Sequence, residues 1–310
     1  MEKNRTNPEL LASLSKMNGE LAYTLTNDYL FRALLQKNEE VLKGFLTAVL
    51  HLERDQAIRS VYITNPILLG EAIDEKTCIL DVFLIMNNNT RVNIEMQVSR
   101  QDGYRNRTLL YLCRSYDKLK KGEAYEQLKP TIHISILDFI PQDGARKFYS
   151  ENYLMDMRDH EIYSRNLSII MIQLSEIERA ENTERESGLY QWARLFKART
   201  WEEMKEMAQE NELMAKAVVT LKDLSEDDKI RLQCEARDRY EHDMASARAG
   251  GLREGIKVLI LDNLEEGRSK DQIVEKLIRR FSLSPEHAED YFKQYAQEED
   301  MDRKGKEETR

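Results

Sequence analysis

The chain is short of the features that mark several large protein classes. Its 310 residues include 3 cysteines, Cys78, Cys113 and Cys234, in no metal-binding or paired spacing. An odd, unspaced set argues against a disulfide framework or a thiolate zinc site and fits a reducing, cytoplasmic setting. No apolar run approaches the roughly 20 residues that span a bilayer, so no membrane association is expected. The opening stretch, MEKNRTNPELLASLSK, lacks the apolar core of a signal peptide. What remains is a water-soluble globular balance, 41% hydrophobic and 33% charged, long enough for one catalytic domain plus an appendage.

Positive charge is outnumbered overall, 47 Lys and Arg against 56 Asp and Glu, a net charge of −9. The deficit is uneven. Residues 201–310 hold 28 acids against 20 bases, leaving 28 against 27 for residues 1–200. Between Arg91 and Gly122 the sign reverses: Arg91, Arg100, Arg105, Arg107, Arg114, Lys118, Lys120 and Lys121 face only Glu95, Asp102 and Asp117. Such an excess suits a polyanionic partner, and a solvated basic helix face is the alternative.

The most informative stretch runs from Thr77 to Tyr116. Two apolar runs, Cys78–Met86 and Val92–Val98, flank a turn-like Asn87-Asn88-Asn89-Thr90 and read as a buried hairpin. Each run carries an acid where the pattern wants an apolar residue, Asp81 in the first and Glu95 in the second. A carboxylate in a buried strand is costly unless it is paired or binds a metal, so these two acids mark the candidate site.

Elsewhere the pattern predicts helical character over 8–25, then a cap at Thr26-Asn27-Asp28. Amphipathic helices follow over Tyr29–Gln36 and Glu39–Leu52. Asp28 reads either as part of that cap or as an acid at the edge of the site. Ser60–Leu69 reads as extended. Tyr104–Leu119 reads as a helix with apolar positions at Leu109, Leu112, Tyr116 and Leu119, and with Arg107, Arg114, Lys118 and Lys121 on one face. Thr131–Phe139 alternates as a strand, where His133 is a paired strand residue rather than a ligand. Leu167–Leu174 is a further strand after a polar connection. This order gives a mixed α/β or α+β domain ending near Leu174.

Beyond it, Leu189–Met244 reads as long exposed helices or a coiled coil, and Ala245–Gly255 as a small-residue break. Ser269-Lys270-Asp271-Gln272 and Ser284-Pro285 cap two short helices, a small hairpin over residues 265–296. Acids on its second helix favour packing or oligomerisation over DNA reading. Residues 297–310 read as disordered. The divisions are thus an extension over 1–20, a core over 21–180, a charged helical segment over 181–264, the hairpin and the tail.

Asp81 and Glu95 on neighbouring strands suit Mg²⁺ or Mn²⁺, which are held by one or two carboxylates, water and substrate phosphates. A metal so placed would activate water against a phosphodiester. Gln97 shares the face of Glu95 and can orient a water, but it cannot act as acid or base near neutral pH. The basic helix that follows would bind backbone phosphates.

The ordered set Thr26-Asn27-Asp28-Tyr29-Leu30-Phe31-Arg32, Ile79-Leu80-Asp81-Val82, Asn93-Ile94-Glu95-Met96-Gln97 and Tyr104-Arg105-Asn106-Arg107 with Tyr111 and Tyr116 resembles one known pattern. It is that of the Rpn-type PD-(D/E)XK nuclease family transposases, the recombination-promoting nucleases. Gly122–Pro130 and the strand after it extend the resemblance over roughly residues 22–175. The resemblance implies an α/β fold, a mixed sheet flanked by helices in a restriction-endonuclease-like core, with an α-helical C-terminal tail. It implies metal-dependent DNA cleavage, with a link to recombination or transposition. By position, Asp81 matches the acid of the PD element, Glu95 the acid of (D/E)XK, Gln97 its lysine, and Asp28 the supporting acid of the first helix. Leu80 stands where the proline would be. Gln97 in place of lysine removes a charge that would stabilise the transition state, which lowers the expected activity.

The expectation is therefore a Mg²⁺- or Mn²⁺-dependent DNA endonuclease. Asp81, Glu95, Gln97 and Asp28 form its site, Arg105, Arg107, Arg114 and Lys118 grip DNA, and the C-terminal helices assemble a homo-oligomer. The rivals are a silent relative that binds DNA without cutting it, and an interaction protein assembled by its helical tail.

Overall fold

The computed structural model describes residues 7–53, 58–64, 67–68, 78–79, 82–86, 89–99, 103–141 and 146–307. These form two compact units, Met1–Arg237 and Asp238–Arg310. The first opens with a short helix, α1 (Pro8–Ser13). The helix expected through residue 25 stops there. Gly19 takes φ +79°, and Glu20 forms a bridge to Thr200. Helix α2 (Asp28–Lys37) starts where expected, because the Asn27 side chain accepts from the Tyr29 and Leu30 amides. Asp28 is therefore a first-turn acid and Asn27 is the cap. Asn38 repeats the device for α3 (Glu39–Val49).

The main sheet is mixed. Its six strands among the described residues are, from one edge to the other, β1 (Val61–Ile63), β4 (Val82–Met86), β5 (Arg91–Gln97), β6 (Thr131–Leu137), β8 (Ile162–Gln173) and β7 (Tyr149–Met155). Within the apolar run expected from Cys78, two pieces are described. β3 (Cys78–Ile79) pairs with β2 (Ile67–Leu68) in a separate ladder, and β4 joins the main sheet. β4 and β5 are antiparallel, with Val82 opposite Ile94, and Asn89 turns between them at φ +62°. β5, β6 and β8 run parallel. The connection expected before Leu167 instead holds β7 and the first half of β8. β7 is an edge strand with little burial, held by its ladder to β8, so it leaves no hydrophobic signature.

Alternation along these strands divides the sheet into two unlike faces. Val82, Leu84, Val92, Ile94, Met96, Ile134, Ile136, Ile170 and Ile172 point into the main core. The same core takes in α2, α3 and the helices after the sheet: α5 (Asn182–Glu186), α6 (Leu189–Lys197), α7 (Trp201–Glu210) and α8 (Glu212–Ser225). Trp192 and Phe196 of α6 meet Phe45 edge-on at 5.7 and 5.4 Å. α6–α8 are thus core helices, not the exposed ones that their charge density suggested, because one face of each carries large apolar residues.

The opposite face of the sheet is covered by α4 (Tyr104–Tyr116), which packs on β5, β6 and β8. Gly103 enters it at φ +74°, a left-handed backbone that glycine adopts without strain. The expected helix through Leu119 ends early. The Arg91 guanidinium reaches across from β5 to the carbonyls of Ser115 and Tyr116 at 3.2 and 3.0 Å and satisfies the end of the helix. Lys118 and Lys121 therefore lie beyond the helix and do not share its face with Arg107. The buried side is also rotated from the expected one: Tyr104, Thr108, Tyr111, Leu112 and Ser115 face inward, while Leu109 is exposed.

α9 (Asp228–Glu265) runs from the first unit into the second. It passes through the expected break at Ala245–Gly255 without interruption. The second unit packs Ile256 and Ile260 against α10 (Lys270–Phe281) and α11 (Pro285–Glu307) through Ile273, Leu277, Ala288 and Tyr295. Gly255 lies against the Phe281 ring, 3.8 Å from where a Cβ would sit. The Ser269–Gln272 capping box forms as expected, and α11 continues to Glu307, into the stretch expected to be disordered.

Candidate active site

The face of β5 under α4 is polar at every second position: Arg91, Asn93, Glu95 and Gln97. Glu95 is only 4% exposed. Its Oε1 accepts from Asn93 Nδ2 at 3.1 Å, and its Oε2 pairs with Arg107 Nη2 at 3.1 Å. With its amide oxygen turned toward α4, Gln97 accepts from Arg107 Nη1 at 3.2 Å, and Nη2 lies against the same amide. One guanidinium therefore spans both side chains, and it also lies 5.5 Å from the Tyr111 ring centroid.

Parallel pairing sets β6 alongside, with Asn93 opposite His133 and Glu95 opposite Ser135. The Asn93 amide donates its second hydrogen to His133 Nδ1 at 3.0 Å. Burial pushes the His133 imidazole below its usual range, although Glu95 pulls it back up. The ring is thus neutral near pH 7, accepting at Nδ1 and carrying its proton on Nε2. His133 is a paired strand residue at Nδ1, as expected, while Nε2 has no hydrogen-bond partner among the described residues. The hydroxyls of Tyr104, Thr108 and Ser135 cluster nearby without an aligned bond. Burial raises the Tyr104 phenol, and the other two hydroxyls partly offset it.

The remaining candidates are placed as follows. Asp81 lies outside the described residues, as does Arg100; the residue after Asp81, Val82, is opposite Ile94 on β5. Asp28 pairs two-pronged with Arg237 of α9, at 2.8 Å to Nε and 2.7 Å to Nη2. Nearby, Asn27 Nδ2 donates to the Cys234 carbonyl at 3.3 Å. Arg105 and Lys118 are exposed, Arg114 is half-buried on α4, and Arg107 turns in toward Glu95. Among the described residues no group of three or more His, Cys, Asp or Glu side chains converges on a metal-sized point.

Just past the carboxyl end of β6 is a cleft of about 320 Å³, lined by Glu20, Leu21, Thr24, Thr26, Asp138, Lys197 and Arg199. The Asp138 amide donates to the Gln97 carbonyl at 2.9 Å, which ties this end of β6 to β5. Burial raises the Asp138 carboxyl, and Lys197 and Arg199 draw it back down. Sequence reading missed Asn93, Ser135 and the inward role of Arg107. The period-2 run Arg91, Asn93, Glu95, Gln97 was the available signal for the first.

A mixed sheet whose polar strand face carries a buried acid beneath a covering helix is consistent with a PD-(D/E)XK nuclease fold. The chain belongs to the PD-(D/E)XK nuclease family transposases, whose family model matches residues 25–251. No curated protein and no solved structure matches it. The family makes the chain's function nuclease- or transposition-related and implies DNA as substrate. No helix among the described residues is long and apolar enough to cross a membrane.

Proposed function

We propose that the chain is a DNA endonuclease that depends on a divalent cation, Mg²⁺ or Mn²⁺. The observation that carries this reading is Glu95, a carboxylate buried on a polar strand face under a basic helix in a chain of this family. The donor chemistry at Glu95 fits such a cation, because a carboxylate is a hard oxygen donor and this one lies buried on a polar strand face. Asp81 and Glu95 would hold the ion, which when bound lowers the pKa of a water and neutralises charge growing at phosphorus.

The chain's own residues do the rest. Asn93 fixes the Glu95 carboxylate from Oε1 and is itself fixed by His133. Gln97, neutral and hydrogen-bonding, orients the attacking water. Arg105, Arg107, Arg114 and Lys118 engage phosphate oxygens on the approach to the site. Asp28 supports the site from the first turn of α2, by tying that helix to Arg237. Exposed Leu252 and Val258 on α9 fit a helical tail that assembles copies of the chain.

The test is nicking of supercoiled plasmid with Mg²⁺ or Mn²⁺. Wild type converts it to open circles, and Asp81→Ala and Glu95→Gln each abolish the conversion. A second reading, a relative that grips DNA without cutting it, has one observation in its favour. Arg107 occupies Oε2 of Glu95, and Gln97 brings no charge of its own. Salt-sensitive plasmid binding by wild type with no nicking in either metal would replace the first reading by the second.

A further inference from the structure

The nuclease reading leaves one chemical gap, which the position of Arg107 addresses. The PD-(D/E)XK pattern places a lysine two residues after the strand acid, and here that residue is the uncharged Gln97. A positive charge is nevertheless present at that place. It comes from α4, where the Arg107 guanidinium lies against the Gln97 amide and Glu95 Oε2 together. Its side chain is 24% exposed, against 5% for Glu95, so it sits at the boundary between the buried carboxylate and solvent.

We propose that Arg107 supplies from α4 the positive charge that the pattern assigns to a lysine on β5, and that it does so by moving from Glu95 onto the scissile phosphate. This rests on the nuclease reading and gives Arg107 a catalytic role within it. A phosphodiester entering from solvent meets the guanidinium first. It presents two non-bridging oxygens to a planar fork of donors, a bidentate match stronger than a single point contact. Moving the guanidinium to that phosphate releases Oε2 of Glu95, so substrate arrival and exposure of the carboxylate are one event. Gln97 keeps the guanidinium directed by accepting from it in either position.

The chemistry balances without Arg107 acting as acid or base, since a guanidinium stays protonated in proteins. Water forms the new P–O bond, and the ester P–O bond breaks with its electron pair on the leaving oxygen. The water's protons end on that oxygen and in solvent. Arg107 neutralises the charge that accumulates on the non-bridging oxygens between these events.

The experiment compares wild type with Arg107→Gln, Arg107→Lys, Gln97→Lys and the double variant Gln97→Lys/Arg107→Gln, all in the full chain. It measures single-turnover cleavage of plasmid with Mg²⁺ and, separately, DNA affinity by anisotropy without metal. Arg107→Gln is expected to slow cleavage by about 10²–10³-fold, with affinity changed by less than about fivefold. Arg107→Lys retains part of the rate. Lysine at 97 raises the Arg107→Gln rate at least tenfold, a recovery that a purely structural Arg107 does not give. A wild type that does not cut overturns this proposal together with the nuclease reading. A wild type that cuts, with Arg107→Gln equally fast, overturns this proposal alone. So does a double variant with a native melting curve and no recovery. If Arg107→Gln does not fold, a folded double variant decides by its rate in the same two directions.

Discussion

The Glu95–Arg107 pair makes an asymmetric prediction about stability. Glu95 is buried and Arg107 is 24% exposed, so removing one partner is not equivalent to removing the other. Arg107→Leu leaves a buried carboxylate with Asn93 as its remaining donor among the described residues. Stranding a buried charge costs about 3–5 kcal/mol, and partial exposure of this pair points to the lower end. Glu95→Gln leaves the charge on the residue that can turn outward to water, at a cost of about 1 kcal/mol. For a unit that ends at Arg237, about 2–4 °C per kcal/mol gives falls of roughly 6–12 °C and 2–4 °C. The double variant loses less than the sum, with a coupling of about 1–2 kcal/mol. Urea denaturation and calorimetry without divalent ions measure all three. Mg²⁺ then stabilises Arg107→Leu more than wild type, because a cation can now meet Oε2 unopposed. A Glu95→Gln variant as damaged as Arg107→Leu refutes the reasoning, since burial of the carboxylate would not then govern the pair.

Four further predictions test other parts of the molecule. Burial depresses the His133 pKa, so below about pH 6.5 the unfolded chain binds more protons than the folded one and stability falls as pH drops. His51, also depressed by burial, adds a loss of the same sign. His133→Gln keeps an acceptor for Asn93 and makes the decline from pH 6.5 to 5 shallower by up to about 2 kcal/mol in urea titrations; an unchanged slope refutes it. Arg105→Glu and Lys118→Glu weaken duplex binding regardless of sequence, and each lowers the salt slope by about 1 for every phosphate that is no longer neutralised. Phe196→Ala removes a ring packed on Phe31, Phe45 and Trp192 and costs about 3–5 kcal/mol by denaturation. Leu252→Glu with Val258→Glu shifts the chain to monomer in sedimentation velocity, while a single unchanged species counts against tail-driven assembly.

Much of the architecture could be read from periodicity. Helices α2 and α3 were legible because each couples a strong apolar repeat to an asparagine cap. β5 and β6 were legible because two of their faces alternate. The failures share a cause, which is order imposed by partners distant in sequence. β7 is exposed and polar, and only its ladder with β8 makes it a strand. α6–α8 looked solvated because their charges are dense. Yet Trp192, Phe196, Met204 and Val218 lie on single faces, and those faces meet the sheet core. α9 passes through Gly250 and Gly251 because neither glycine approaches a neighbour, so nothing there requires the helix to bend.

The candidate site was legible on the strand but not on the helix, and the reason is chemical. Glu95 announced itself as an acid inside an apolar run, a misfit that local pattern exposes. Arg107 looked like one more base on a basic helix. Leucine spacing pointed to Leu109, Leu112, Tyr116 and Leu119 as the buried side of α4. Leu112 is buried as expected, but the strand face beneath α4 is itself polar, so the helix otherwise buries the residues that complement it: Tyr104, Thr108, Tyr111 and Ser115, with Arg107 beside them. Leu109 is left 49% exposed. Hydrophobic periodicity locates a helix face only where the opposing surface is apolar. Over a strand reading Arg91, Asn93, Glu95, Gln97, the inward face follows hydroxyls and charge, and the arginine nearest that face becomes part of the site.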